Sequence, residues 1–179
     1  EADAHGDWPP VVLAVSATVH LRSRDSERAL PASEFFTIDG DGRGGKRTAL
    51  RSGELLTAVT VPAATARTRS TYLKRMHPAS GHAMLGVAVV ATFDADETCR
   101  QCRIAITGTA TIATQATSAE DRITGSRLTP DAIEAAANSV NDGIAFTGDA
   151  FGSAAYLAEL LPLYVSRALS QIATPLETN

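Results

Sequence analysis

Two pairs of side chains in this sequence are spaced as metal or redox groups often are. Cys99 and Cys102 form a C-x-x-C pair, and His77 and His82 lie five residues apart. A redox C-x-x-C pair sits at a helix N-terminus, where the helix dipole lowers the thiol pKa, but this pair leads into an apolar run typical of a strand. A structural zinc site needs four ligands, and the sequence has only two cysteines. We therefore interpret the cysteines as structural.

The other metal motifs fail on their spacing. His77 and His82 are separated by a proline and a glycine, so they do not share a helical face. An aspartate-rich and glycine-rich stretch that begins at Asp39 resembles a calcium loop, but its twelfth position is Leu50, where a bidentate glutamate is required. We interpret residues 39–45 as a surface loop. The sequence thus predicts no metal site and no self-contained catalytic site.

Composition limits the classes of partner. With 179 residues the chain is long enough to bury a core as one medium domain or two small ones. A net charge of -4 and a pI near 5.5 argue against a nucleic acid partner, which requires clustered Lys and Arg. No apolar run approaches the roughly 20 residues of a membrane helix, and the start lacks a secretion signal pattern. We predict a cytoplasmic protein without a membrane segment.

Short strands dominate the first half of the predicted structure. Alternating or β-branched residues indicate strands at 11–15, 18–22, 55–61 and 71–75. The polar stretch 63–70 is the predicted boundary between two subdomains. A nearly continuous apolar run at 85–93 then indicates a buried strand, and its antiparallel partner is predicted at 102–107.

Helices follow these strands. Ser118 is the predicted N-cap of a short helix that Gly125 ends, and Thr129 is the N-cap of the next. A last helix is predicted over 153–172, and Pro162 is expected to break or bend it because proline lacks the backbone N–H. The order of elements indicates an α+β fold, an antiparallel sheet with helices on one face.

Five stretches of the sequence follow the order of motifs in one protein family. Residues 7–15 resemble its D-L-P-P-x-L-L-A-L entry, residues 32–36 its A-D-F-F, residues 48–62 its T-x-L-x-x-G-E-L-L and I-x-I-P, and residues 72–74 its Y-x-K. Residues 102–108, with the short helix that follows, complete the series. The chain is similar to the flavoprotein subunits of molybdenum hydroxylases, such as the medium subunit of carbon monoxide dehydrogenase and the FAD domain of xanthine dehydrogenase.

The resemblance implies a fold like the carbon monoxide dehydrogenase flavoprotein C-terminal domain. Residues 1–66 would be a remnant of the second FAD-binding subdomain, and residues 67–179 would be the C-terminal-like subdomain. In the family, a Gly-Gly loop around the FAD pyrophosphate precedes the D-L-P-P element, and the residues ahead of Asp7 do not contain it. We expect FAD in the complete subunit and weak or absent binding by this chain alone.

The resemblance also implies roles for particular residues. Lys74 would lie near the isoalloxazine or the diphosphate of FAD, and Asp7 would accept a hydrogen bond from a flavin imide or ribityl hydroxyl. Glu34 and Phe35 would pack beside the ring. Without the resemblance, Lys74 is a solvated lysine at a strand end and Phe35 is a core residue. Where the family shows an acidic residue after Y-x-K, this sequence has residues 80–83, Ser-Gly-His-Ala.

Three functions remain open from the sequence. The first is part of an FAD-binding oxidoreductase subunit that relays electrons from iron-sulfur clusters to an acceptor, with an iron-sulfur subunit and a molybdenum-cofactor subunit as partners. The alternative is a stand-alone, flavin-independent descendant that binds a small molecule in the former flavin cleft, for example as a cofactorless cyclase. A third option is a purely structural interaction module.

Overall fold

The computed structural model describes residues 2–37, 47–149 and 152–174, so the loop predicted at 39–45 lies outside the described residues. Helices and strands are mixed along the chain, and the last three elements are helices. The helices are α1 (Trp8–Ala14), α2 (Ala32–Phe35), α3 (Thr117–Ile123), α4 (Pro130–Ser139) and α5 (Ala154–Ala173). The strands are β1 (Thr18–Arg22), β2 (Glu27–Pro31), β3 (Leu55–Thr60), β4 (Thr68–Met76), β5 (Ala83–Phe93), β6 (Cys99–Thr107) and β7 (Thr114–Gln115).

The larger sheet has the antiparallel order β4-β5-β6-β7, and α3, α4 and α5 cover one of its faces. Large side chains of β5 and β6 point into this layer, including Leu85, Val87, Val89, Ile104 and Ile106, all fully buried. Burial of such side chains is the main favourable term in folding. The predicted α+β fold with helices on one face of an antiparallel sheet is confirmed.

The smaller sheet has the order β2-β1-β3. Val19 and Leu21 of β1 are buried against α1 and α2, in the alternating pattern of a strand with one covered face. Strand β3 continues the same face, because Val59 and Leu56 pair with Val19 and Leu21. However, every residue of β3 is exposed, so the helical cover ends at β1.

The two sheets are joined by a second core on the face of the larger sheet opposite α3 to α5. Here the side chains of β5 and β6 are small, with Ala88 and Ala105 buried beneath α1. Val12 and Leu13 of α1 fill this layer together with Phe35. Residues from both predicted subdomains therefore share one core. The division at 66/67 stays a prediction.

The predicted strand at 11–15 is wrong, because these residues belong to α1 and its C-terminal end. Pro9 and Pro10 stand in the first helical turn, where the missing N–H has no partner to lose and the fixed φ suits a helix. The β-branched residues Val11 and Val12 favoured a strand. The two prolines and the packing of this segment in the core instead favour a helix.

The short helix α3 begins differently from its prediction. Ser118 is not the N-cap, since Ala116 occupies that place and makes no side-chain cap. The Ser118 hydroxyl instead donates to the carbonyl of Asp142. By contrast, Thr129 caps α4 as predicted, accepting from the Ala132 N–H at 3.3 Å, and Gly125 follows α3 with a positive φ of 82°.

Pro162 does not break the last helix, since α5 is continuous from Ala154 to Ala173. Proline removes the N–H that would bond the carbonyl of Ala158, four residues earlier. The side-chain amide of Asn141 replaces that donor, with Nδ2 at 2.9 Å from the Ala158 oxygen. Buried Leu161 and Val165 on either side hold the helix to the core.

None of the described helices is long and apolar enough to cross a membrane.

The two cysteines are buried in the helical layer. A bulge between Thr92 and Phe93 shifts the register, so Phe93 pairs with Cys99 while Ala91 pairs with Cys102. This shift turns both thiols toward the same core, although a regular strand would turn residues three apart to opposite faces. Both are free thiols.

A buried carboxylate completes the edge of β6 where β7 is too short to pair with it. Glu120 of α3, whose side chain is 6% exposed, accepts a hydrogen bond from the Ile104 N–H at 2.8 Å and one from Arg103 Nη1 at 3.3 Å. Burial raises the pKa of Glu120 above its ordinary value, against the effect of these donors. The charge costs stability here, whereas the acceptor is required.

We predict that Glu120→Ala lowers the free energy of unfolding by about 1 to 3 kcal/mol, because the Ile104 N–H is left buried without an acceptor. Glu120→Gln keeps an acceptor oxygen and removes the buried charge. A raised pKa means that the protonated form favours folding, so wild type loses stability as pH rises through the folded-state pKa. Urea unfolding below and above the ordinary glutamate range should therefore show the glutamine variant gaining on wild type at the higher pH. Equal losses for Ala and Gln would contradict this role.

A second prediction concerns Asn141 and Pro162. Asn141→Ala is expected to lower the free energy of unfolding by about 1 to 2 kcal/mol, because the Ala158 carbonyl loses its donor. In a Pro162→Ala background the helix supplies that donor itself, so the same substitution should cost less. A double-mutant cycle by urea denaturation measures this coupling. Additive effects of the two substitutions would show that Asn141 does not serve this carbonyl.

Candidate functional site

The structure brings Asp7 and Lys74 into direct contact although they are far apart in sequence. Lys74 Nζ donates to Asp7 Oδ2 at 2.8 Å and to the carbonyl oxygen of Gly81 at 3.1 Å. Asp7 precedes the first turn of α1, and Lys74 lies on the edge strand β4. The side chains are partly exposed, 45% for Asp7 and 25% for Lys74. Each keeps hydrogen-bonding capacity toward solvent.

A third side chain completes this contact. Tyr72 Oη donates to Asp7 Oδ1 at 2.6 Å. Tyr72 and Lys74 lie two residues apart on β4 and so point to the same face of the sheet. Asp7, Tyr72 and Lys74 are called here the Asp7 triad. Its two charges cancel, so the triad is neutral while it presents an anion and a cation side by side.

The contacts of the triad shift the pKa values of Asp7 and Tyr72. Partial burial raises the pKa of Asp7, but hydrogen bonds from Lys74 and Tyr72 and the positive charge of Lys74 outweigh it, and the pKa lies below its ordinary value. Burial, together with the hydrogen bond to Asp7 and its negative charge, raises the pKa of the Tyr72 phenol. Tyr72 is therefore a donor and Asp7 an acceptor at physiological pH.

Residues ahead of α1 hold Asp7 in place. The carbonyl of Ala4 accepts from the Gly108 N–H at 2.8 Å and from the Thr107 hydroxyl at 2.7 Å, and the carbonyl of His5 accepts from the Ala83 N–H at 3.2 Å. Gly108 has a φ of 87°, and a Cβ there would lie 2.2 Å from the backbone oxygen of Met84 in β5. A glycine is therefore required where the segment meets the sheet.

A small cavity adjoins the triad through the turn after β4. It has a volume of about 120 Å³, and its lining includes His5, His77, Ser80, His82 and Asp149. This turn also supplies the Gly81 carbonyl that Lys74 bonds. Three of the four histidines of the sequence thus gather at one place.

Two of the imidazoles of this cavity, those of His5 and His77, are held by hydrogen bonds. His5 Nδ1 lies 3.0 Å from the Ala83 carbonyl oxygen, so this nitrogen carries a proton, and His5 Nε2 lies 3.4 Å from Asp149 Oδ2. His77 Nδ1 accepts from the Ser80 N–H at 3.2 Å. Within the described ranges, no group of three or more His, Cys, Asp or Glu side chains has the arrangement of a metal site.

Glu34 and Phe35 lie on the short helix α2. Glu34 is exposed on α2, and Phe35 is a buried core residue that packs edge-on against Phe36 with ring centroids 5.3 Å apart. Among the described residues, no hydrogen bond links Glu34 to the triad. Their predicted contact with a flavin ring stays a prediction, and the structure gives Phe35 the core role that the sequence left open.

Sequence reasoning missed three contributors to the site. In the sequence analysis Tyr72 appeared only as the first residue of the Y-x-K motif. Its position two residues before Lys74 on a strand nevertheless places both side chains on one face. The His5 contact with Asp149 joins residues that no local pattern connects. Gly86 is the third: a Cβ there would lie 2.4 Å from Tyr72 Oη.

Comparison with known families matches both parts of the chain. Residues 1–64 match the FAD binding domain in molybdopterin dehydrogenase, and residues 70–172 match the CO dehydrogenase flavoprotein C-terminal domain. Asp7 lies in the first match, and Tyr72 and Lys74 lie in the second. The triad therefore joins the two matched segments.

Individual relatives agree with these matches. The nicotine 6-hydroxylase medium subunit of Paenarthrobacter nicotinovorans is 29% identical over 167 residues, which cover 93% of this chain and 56% of that subunit. The carbon monoxide dehydrogenase medium chain of Hydrogenophaga pseudoflava is 30% identical over 171 residues, covering 93% of this chain and 57% of the relative. The chain thus spans little more than half the length of these curated relatives.

The fold is similar to a solved structure as well. Carbon monoxide dehydrogenase from Hydrogenophaga pseudoflava, in a form that lacks the Mo-pyranopterin moiety of the molybdenum cofactor, superposes with a TM-score of 0.85 at 31% identity. The match covers 94% of this chain and 56% of that one. The resemblance predicted from the sequence is confirmed. On the match over residues 70–172, more than half of its length, the chain belongs to the CO dehydrogenase flavoprotein C-terminal domain family.

Proposed function

We propose that the chain forms part of an FAD-binding subunit that relays electrons from iron-sulfur clusters to an acceptor in a molybdenum hydroxylase. The observation that carries the proposal is the Asp7 triad, because it joins the two family-matched segments and presents paired donor and acceptor groups toward solvent. Relatives named as medium subunits of a nicotine hydroxylase and of carbon monoxide dehydrogenase support it.

The groups of the triad fit a flavin. When bound, FAD supplies electron transfer between one-electron clusters and the final acceptor. Lys74 uses two of its three N–H donors on Asp7 and Gly81, which leaves one for a carbonyl or phosphate oxygen. Asp7 keeps unused lone pairs that accept from an imide N–H or a ribityl hydroxyl. These residues bind and orient the cofactor, and no residue of the chain is assigned a proton-transfer step.

The proposed partners follow from the same family. An iron-sulfur subunit and a subunit with the molybdenum cofactor would assemble with the complete flavoprotein, and hydroxylation would take place on the molybdenum subunit. We keep the cytoplasmic location and the division into residues 1–66 and 67–179 as predictions within this proposal.

One observation favours the alternative function, binding of a small molecule without flavin. The cavity of about 120 Å³ beside the triad is lined by His5, His77 and His82, at the place where the family's acidic residue is replaced. A polar ligand of that size would find imidazole and hydroxyl groups there. FAD binding by a complete subunit separates the two functions, because the alternative requires none.

The chain alone is predicted to hold FAD weakly or not at all, because the FAD pyrophosphate needs backbone N–H donors of a glycine-rich loop that the residues ahead of Asp7 do not contain. Purified protein should be colourless, and added FAD should elute separately from the protein on gel filtration. A stoichiometric yellow chromophore with flavin absorbance would show that these residues suffice.

Lys74→Ala is predicted to weaken FAD binding in the complete subunit by about 1 to 3 kcal/mol, roughly a 5-fold to 150-fold rise in Kd, measured by flavin fluorescence. The loss includes the effect of an uncompensated Asp7 anion beside the cofactor. The double variant Asp7→Asn with Lys74→Met removes both charges and is the matched control. It should bind FAD more tightly than Lys74→Ala. Unchanged flavin content and potential in Lys74→Ala would reduce Lys74 to a solvated charge at a strand end.

A further inference from the structure

We propose that Tyr72 is the positioning residue of this site: its hydroxyl fixes the orientation in which the Asp7 carboxylate receives an N–H or O–H donor of the bound cofactor. Gly86 gives that hydroxyl its place. The inference rests on the proposed function. It extends that function to Tyr72, which contacts Asp7, and to Gly86, which contacts Tyr72; both would act through Asp7 and not on the cofactor directly.

The geometry of the carboxylate supports a two-point hold. Asp7 Oδ1 accepts from Tyr72 and Asp7 Oδ2 accepts from Lys74, so one donor engages each oxygen and together they fix the carboxylate plane. The lysine is a flexible four-carbon stem with a rotatable donor set, and alone it would leave the carboxylate free to turn. The tyrosine ring has only two side-chain torsions and is packed against the core of α1. Tyr72 therefore supplies the rigid half of the hold.

Gly86 determines whether Tyr72 reaches Asp7. Lys74, Gly86 and Thr107 form one cross-strand row, and the Tyr72 hydroxyl lies over its middle member. A Cβ at Gly86 would lie 2.4 Å from Tyr72 Oη and 2.7 Å from Thr107 Cγ2. Real Cβ atoms essentially never approach other atoms so closely, so any side chain at 86 displaces the hydroxyl. The φ of Gly86 is not in the left-handed region, hence space and not backbone freedom explains the glycine.

If Tyr72 had only a structural role, Tyr72→Phe would be expected to have a different effect. As a core residue, Tyr72 would contribute through its ring, and Tyr72→Phe would leave the ring and the Asp7 carboxylate as they are. As a positioning residue it acts through the hydroxyl, and the same substitution must change the state of Asp7. The titration of Asp7 is therefore the readout that separates these roles.

The test uses the chain itself, without FAD. The side-chain carboxyl carbon of Asp7 is followed by ¹³C NMR as pH is lowered, in wild type, Tyr72→Phe and Tyr164→Phe. Loss of the donor on Oδ1 should move the Asp7 midpoint upward in Tyr72→Phe. Tyr164 is the matched control, because its hydroxyl makes no hydrogen bond within the described residues, and its removal should leave the midpoint unchanged. An unchanged midpoint in a folded Tyr72→Phe overturns the proposal.

Two further measurements complete the test. Gly86→Ala should raise the Asp7 midpoint as Tyr72→Phe does while the hydroxyl is still present, and failure to do so in a folded protein overturns the role of Gly86. In the complete subunit, Tyr72→Phe should raise the FAD Kd about 10-fold, because a carboxylate that is no longer held in place loses much of its own hydrogen bond to the cofactor. If Lys74→Ala weakens FAD binding and Tyr72→Phe does not, positioning is overturned and the proposed function stands. If neither variant affects FAD binding, the cofactor roles of Lys74 and Tyr72 are both overturned, whereas the proposed function fails only if the complete subunit binds no FAD.

Discussion

The close approach of α1 to the larger sheet is the constraint on which the site depends. Strands β5 and β6 alternate large side chains toward the helical layer with Gly86, Ala88 and Ala105 toward α1. Small side chains let a helix and its preceding segment lie directly on the sheet, and this approach carries Asp7 over the end of β4. Larger residues on this face would lift α1 and separate Asp7 from Lys74, even though every strand could still form.

The electrostatics of the site follow from this approach. Lys74 does not act as an isolated charge, because Asp7 compensates it at 2.8 Å. A paired ammonium contributes little net field at a distance, so in the proposed function its effect on a bound cofactor would come through direct hydrogen bonds and short-range orientation. Tyr72 adds a neutral donor to the same carboxylate, and its raised pKa keeps it in that role. The triad is thus better suited to orient a polar ring edge than to attract a distant anion.

The sequence predicted β4, β5, β6 and the three helices that cover them because their periodicity, and the Thr129 cap of α4, are local signals. The prediction from sequence failed where a residue that is distant in the chain determines the local structure. Asn141 supplies the donor that Pro162 lacks, and no feature of the last helix announces that contact. The bulge that turns Cys99 and Cys102 to one side is likewise set by pairing with β5. The prolines before Val11 were a readable local signal for helix, and the β-branched valines were given too much weight against them.

The site shows the same division. Spacing alone left Lys74 a strand-end charge, and only family resemblance placed it with Asp7. Its partner Tyr72 was within reach of a period-two argument, since residues two apart on a strand share a face, but the argument needs a reason to expect polar chemistry on that face. The glycine at 86 supplies one in retrospect: a glycine inside an apolar strand often marks a close approach. Here the approaching group is the Tyr72 hydroxyl, which lies over Gly86 and donates a hydrogen bond to the Asp7 carboxylate. A glycine opposite a strand lysine, with a tyrosine two residues before that lysine, is therefore the pattern that links strand periodicity to this site.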